Sequence, residues 1–135
     1  MTVYLLNSNH ASPLVTLHHP LRARVFQAHR AGDVFALVPP VIAETWFGIS
    51  LLPRAVQNRQ EWMSIQGLMS VYAVDAQDGI DAAELQLTLR AKGAQLETFD
   101  ALIAAIALRY DLTLLTSDGD FAAIPGLTQA NWLVP

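Results

Sequence analysis

The chain contains no cysteine. A disulfide framework, a thiolate metal site and a thiol nucleophile are therefore all excluded. Lysine is almost as scarce, with Lys92 the only one among 8 cations. Neither a P-loop nor a GxGxxG stretch occurs, which removes the common nucleotide-binding designs. Charge in general is thin: Asp, Glu, Lys and Arg make up 15% of the 135 residues, against 53% hydrophobic ones. Disordered chains show the opposite balance, and here apolar surface is left over for a partner. With 12 acids against 8 bases the net charge is -4, so no overall positive field advertises nucleic-acid binding. All the bases except Lys92 are arginine, however, and the guanidinium fork suits phosphate better than an ammonium does. No apolar run approaches the roughly 20 residues of a membrane-spanning helix. The apolar N-terminus lacks a preceding cationic region and stops at Asn7, so no secretory signal is expected and the cytoplasm is the default location.

What is present reads as one domain, residues 1–135, of alternating strands and helices. Val3-Tyr4-Leu5-Leu6 is a short buried strand stopped by Asn7-Ser8-Asn9. His10 to His19 reads as a short helix or helical turn, and Pro20 opens the next helix, which Gly32 ends. Val34 to Val38 is a second strand, broken by Pro39-Pro40, and Pro40 starts a helix carrying Ile42, Ala43, Trp46, Phe47 and Ile49. A further helix spans about Arg54 to Gly67, followed by a third strand, Val71 to Val74. Asp75 or Asp81 caps the next helix; Asp81 with Glu84 resembles a capping box, and Ile80, Ala83, Leu87 and Ala91 form the expected core stripe. Phe99, Leu102, Ile103, Ile106, Ala107 and Tyr110 mark a helix from Thr98 to Tyr110. Leu112 to Leu115 is a fourth strand, and Asn131 to Val134 a terminal edge strand. Strands alternating with helices of this length predict α/β architecture with a parallel sheet covered on both faces.

The carboxylates acquire meaning on that scheme. In open α/β sheets, ligands bind beyond the carboxyl ends of the strands. Asn7 ends strand one; Asp118 and Asp120 follow strand four. Asp100 sits in the first turn of the helix before strand four, where the helix dipole favours negative charge. Glu44 lies one turn into the helix after strand two. Taken singly, Asp118 and Asp120 beside Gly119 are ordinary turn residues, Asp100 is a helix-start charge and Asn7 a strand stop. Together at one edge, the acids would repel one another unless a cation lay among them. Oxygen ligands select Mg²⁺ or Mn²⁺, an ion suited to activating water and neutralising charge on a phosphoryl group.

These same residues carry a resemblance. Tyr4 to His10, Val41 to Ile49, Asp100 to Ala107, Leu114 to Phe121, Ile124 to Leu127 and Asn131-Trp132 resemble the motifs of PIN-domain ribonucleases. Within that family they are most similar to the VapC-type toxins of bacterial toxin–antitoxin pairs, and the match runs from Tyr4 to Trp132. The resemblance implies a three-layer α/β/α fold on a central, mostly parallel sheet of about four to five strands. It implies a Mg²⁺- or Mn²⁺-dependent endoribonuclease, a homodimer with an RNA groove, and a cognate antitoxin whose C-terminal segment plugs that groove. Glu44, Asp100 and Asp118 take the acidic positions, Asp120 is auxiliary, and Asn9, Thr116 and Ser117 orient the ligands. The departure is Asn7, where the family pattern has aspartate as a principal ligand. An amide supplies one oxygen and an NH₂ and no charge, so metal affinity and turnover are expected to fall while the fold survives.

Arg22, Arg24, Arg30, Arg54 and Arg59 could line an RNA groove, Arg54 and Arg59 foremost because they follow the Glu44 helix. His10, His18, His19 and His29 fit no zinc spacing, so surface or capping roles are expected. Trp46, Phe47 and Trp62 are candidates for core or for an apolar partner surface. Two rival readings remain. One is a PIN domain that binds RNA or an antitoxin without cutting. The other is an aspartyl-phosphate phosphatase or receiver domain, which needs Asp at position 7 and a late functional lysine, and the sequence supplies neither.

Overall fold

The computed structural model describes residues 1–134. Its centre is β1, Val3–Leu6, with β2, Val34–Leu37, on one side and β4, Thr113–Leu115, on the other. β3, Ser70–Val71, and β5, Gln129–Ala130, are the edges, so the order is β3-β2-β1-β4-β5 and every pairing is parallel. Successive strand residues point to opposite faces, yet Leu5 and Leu6, Phe35 to Leu37, and Leu114 and Leu115 are all buried. The sheet is therefore covered on both faces by helices, the three-layer arrangement expected from strands without apolar/polar alternation.

Local chemistry sets the helix ends. The first is short: α1, Ser8–Ala11, runs into a 3-10 turn, Ser12–Val15, so the stretch from His10 to His19 is a helical turn, not one helix. α2, Pro20–Arg30, starts on a proline and ends before Gly32, which takes φ 104°, a left-handed value that suits glycine. α3, Pro39–Ser50, begins at Pro39, one residue before the expected Pro40, because a first-turn proline has no N–H to leave unpaired. α4 is Ala55–Gln66, entered through Arg54 in the left-handed region at φ 64°. α6, Thr98–Tyr110, has the bounds read from its periodicity. Among the described residues no helix is long and apolar enough to cross a membrane.

Three sequence expectations are corrected. The third strand is Ser70–Val71, not Val71 to Val74. The last strand is Gln129–Ala130, and residues 131–134 form a turn rather than a strand. The third concerns α5, Ala76–Ala91. Asp75 caps it, in a reciprocal box with Asp78, while Asp81 accepts from Gln77. Its inner face carries Asp78, Ala82, Leu85 and Leu89; Ile80 and Leu87 are 58% and 61% exposed. The reason is a polar anchor that periodicity cannot see. Arg109 on α6 donates to Asp78 Oδ1 at 2.9 Å and to Asp75 Oδ2 at 3.0 Å. That pair rotates α5 so that a fully buried carboxylate, with its partners supplied, faces α6.

The α3 core face is Val41, Thr45 and Ile49. Thr45 Oγ1 is buried with no hydrogen-bond partner, an arrangement that costs roughly 1–3 kcal/mol. Thr45→Val keeps the shape and removes the orphan hydroxyl. It is expected to raise stability by about 1 kcal/mol, measured as a higher urea midpoint with unchanged slope; a lower midpoint would show that the hydroxyl is satisfied in solution.

Candidate metal centre

The carboxyl edge of the sheet gathers the polar residues. Beyond the last β1–β4 pair, Leu6↔Leu115, the Asn7 N–H donates to the Leu115 carbonyl at 3.0 Å. Asn7 and Thr116 therefore leave their strands side by side. The Thr116 hydroxyl becomes a hub, accepting from Asn7 Nδ2 at 2.9 Å, Asn9 Nδ2 at 3.3 Å and the Asp118 N–H at 3.0 Å. Asp118 in turn accepts the Asp120 N–H at 2.9 Å, capping a 3-10 turn, Gly119–Phe121. Asn9 Oδ1 accepts the Ser117 N–H at 3.3 Å. The two amides and the hydroxyl thus shape the turn that carries the acids.

One carboxylate oxygen each from Asp100, Asp118 and Asp120 lie within 4.8 Å of one another. Asp100 reaches the cluster from the first turn of α6. Its pKa is raised to about 6, by burial first and then by Asp118, Glu44, Glu97 and Asp120. Glu44 is exposed on α3, and its own pKa is raised by partial burial and by Glu97. Of the expected site residues, Asp100, Asp118 and Asp120 are brought together, with Glu44 close enough to act on Asp100. Glu97, just before α6, is a further acid that the sequence reading missed; its place three residues ahead of Asp100 was the available signal.

Asn7 is buried beside this cluster, and both ends of its amide are hydrogen-bonded. Oδ1 accepts the Ser8 N–H at 2.9 Å and Nδ2 donates to Thr116. The arginines stand elsewhere. Arg54 lines a cleft of about 490 Å³ between the Val15–His18 segment and the start of α4. Arg59 stacks over Trp46 and donates to Ser50 Oγ at 2.9 Å, beside an apolar groove of about 510 Å³ formed by Pro39, Ile42, Ala43, Trp46 and Phe47. Arg22 is tied to Glu61 at 2.6 Å and to the Leu14 carbonyl, and Arg24 stacks on Trp132 at 4.0 Å. Trp62 is core, whereas Phe47 is 67% exposed. His19 caps α2 as expected of a histidine there, but His10 departs from the surface expectation: it is fully buried.

Close carboxylates with repulsion built among them, and all-oxygen donors, fit a hard divalent cation better than a softer one. Fold and site together define a parallel α/β domain with an acidic cluster at the carboxyl edge of its central strands. The chain belongs to the PIN domain family, whose model matches residues 4–127. It is 24% identical over 131 residues to Ribonuclease VapC2 of Rickettsia felis, across 96% of this chain and 98% of that protein. The solved VapBC2 of Rickettsia felis, bound to a promoter DNA fragment, has the same fold at a TM-score of 0.83 and 24% identity, over 97% of this chain and 99% of that one. DNA-bound VapBC of Salmonella typhimurium matches at 0.82 and 19% identity, over 98% and 99%.

Two titrations follow, with opposite signs. The Asp100 pKa is raised from 3.8 to about 6, so its contribution to stability is full below pH 3.8 and lost as pH rises through 6. At neutral pH the ionised group weighs against the metal-free fold by on the order of 1–2 kcal/mol after discounting for solvent. Asp100→Asn is expected to raise the urea midpoint at pH 8, with the gain shrinking toward pH 4.5; a gain that grows on acidification contradicts the assignment. The His10 pKa is lowered from 6.5 to about 4, by burial and then by Arg24. The fold excludes the proton, so its contribution is present above pH 6.5 and lost as pH falls toward 4. His10→Asn is expected to flatten the fall in urea midpoint between pH 7 and 5, and an unchanged slope there would rule His10 out.

Proposed function

We propose that the chain is a metal-dependent endoribonuclease of the VapC type, the toxin half of a toxin–antitoxin pair, with turnover reduced by Asn7. The observation that carries this reading is the approach of Asp100, Asp118 and Asp120 to within 4.8 Å at the carboxyl edge of the sheet. The ribonuclease name of the Rickettsia felis relative supplies the substrate class. Asp100, Asp118 and Glu44 are the residues we assign to hold Mg²⁺ or Mn²⁺, with Asp120 auxiliary. Bound there, such an ion supplies an activated water and neutralises charge developing on a scissile phosphodiester.

The rest belongs to the chain. Burial, and after it the neighbouring acids, raise the Asp100 pKa to about 6, and a cation held there would favour its ionised form. Asn9, Thr116 and Ser117 hold the turn that aims Asp118. Asn7 sits where the family pattern places its first carboxylate. Its only oxygen accepts the Ser8 N–H, and it adds no charge. The apolar groove beside Trp46 and Phe47 suits the antitoxin segment, and cytoplasmic residence and a homodimer complete the reading. The engaged Asn7 amide also favours a second reading, a PIN domain that binds RNA or antitoxin without cutting.

Asn7→Asp discriminates. The carboxylate keeps an oxygen for Ser8 and turns Thr116 from acceptor to donor at that contact. RNA cleavage with Mn²⁺ is expected to rise by about 100-fold or more, and to be abolished by adding Asp118→Asn. If cleavage stays at background with and without Mn²⁺, the non-catalytic reading replaces the first.

A further inference from the structure

One buried group has no part in the acid cluster and yet is wired to it. His10 is 0% exposed, in α1, and both ring nitrogens are used. Nε2 accepts the backbone N–H of Trp132 at 3.0 Å. A backbone N–H can only donate, so Nε2 carries no proton and the neutral ring bears its hydrogen on Nδ1. Nδ1 lies 2.7 Å from Asn9 Oδ1 and therefore donates to it.

That assignment decides the orientation of Asn9. An asparagine amide can be turned end for end at almost no change in shape, and only its partners distinguish oxygen from nitrogen. Two donors, His10 Nδ1–H and the Ser117 N–H, converge on the Oδ1 end. The NH₂ end is thereby directed to Thr116 Oγ1, at 3.3 Å. Thr116 Oγ1 also receives the Asp118 N–H. A continuous series of hydrogen bonds runs from Trp132, through His10 and Asn9, to the Ser117 and Asp118 amides.

We propose that His10 is a positioning residue for the metal centre: anchored by the Trp132 backbone, it fixes the Asn9 amide and through it the turn that carries Asp118. The imidazole is itself held by structure on its far side. Trp132 packs on Tyr4 at 4.8 Å and on Phe35 at 5.9 Å between ring centroids, with the Arg24 guanidinium over its ring. The inference takes its consequence for metal binding from the nuclease reading, but its geometric part stands without it.

The two nitrogens can be separated by substitution, because asparagine reaches only as far as Nδ1 and glutamine as far as Nε2. His10→Asn keeps the donor toward Asn9 and gives up Trp132; His10→Gln does the reverse. Amide hydrogen exchange on the full chain reads the turn without any metal. In His10→Gln the Ser117 and Asp118 amides are expected to exchange about tenfold faster, with Asp100 on α6 unchanged; in His10→Asn they stay within about threefold. In the Asn7→Asp background, Mn²⁺ affinity measured calorimetrically should fall by about tenfold or more for His10→Gln and not for His10→Asn. Equal effects of the two substitutions, or unaltered Ser117 and Asp118 exchange in His10→Gln, overturn the proposal. If His10→Gln does not fold, Asn9→Ala cuts the same series one step later and carries the same expectations and the same overturning result. Should the Asn7→Asp chain neither bind Mn²⁺ nor cut RNA, the nuclease reading falls, while exchange still decides the role of His10.

Discussion

The pairing of β1 with β4 is the constraint on which everything else depends. Residues far apart in sequence are set in register, Leu6 against Leu115, at the middle of the sheet. Parallel strands end at the same edge, and a strand that stops in polar residues leaves them there. Because both central strands stop together, Asn7 meets Thr116 and the turn bearing Asp118 and Asp120 follows at once. A slip of one residue would reverse the facing of every side chain in a strand whose neighbours are buried on both sides. The polar edge is thus secured by apolar packing behind it, chiefly Leu5, Leu6, Leu114 and Leu115.

That edge is electrostatically costly, and the fold tolerates the cost without removing it. Burial raises the Asp100 pKa first, and Asp118, Glu44, Glu97 and Asp120 raise it further; Glu44 is raised by partial burial and then by Glu97. Among the described residues no arginine forms a salt bridge with any of these acids; Arg22, Arg24 and Arg59 are engaged in packing and Arg109 in the α5–α6 anchor. A carboxylate cluster without a neutralising side chain is what a divalent cation would relieve. With an amide at position 7, one fewer charge has to be accommodated, and the hydrogen bonds to Ser8 and Thr116 tie that residue into the scaffold.

Much of this was legible in the residue order. The helix from Thr98 to Tyr110 declared both its ends, and the strands were visible as short apolar runs. The edge location of Asp118 and Asp120 followed from where strand four stops, and that of Asp100 from its place in the first turn of the helix before it. What stayed hidden rests on partners distant in sequence. Asp78 faces inward because Arg109 meets it, 31 residues later, so the apolar positions Ile80 and Leu87 lost the competition for the interior. Phe99 and Tyr110 fit the α6 stripe but lie beyond the packed arc of Ala101 to Ala107 and remain exposed. His10 is interior, and one of its ring nitrogens is partnered by the Trp132 backbone N–H, 122 residues away. Local pattern carries the choice of element; long-range polar pairing carries the rotation of each element about its own axis.

The hydrogen bond from the Trp132 backbone to His10 also imposes an order in time. Synthesis delivers β1 and α1 first, and the strand and turn that complete the acidic edge only after Thr113 has been made. The segment that bonds to His10 comes later still. A nascent chain can collapse around β1 and β2, but the edge of the sheet has no second wall until the last quarter of the described chain has emerged. Assembly of the acid cluster therefore waits until β4 and the turn after it have been made, and a ribosome-bound fragment ending before β4 carries Glu44 and Asp100 without Asp118 and Asp120.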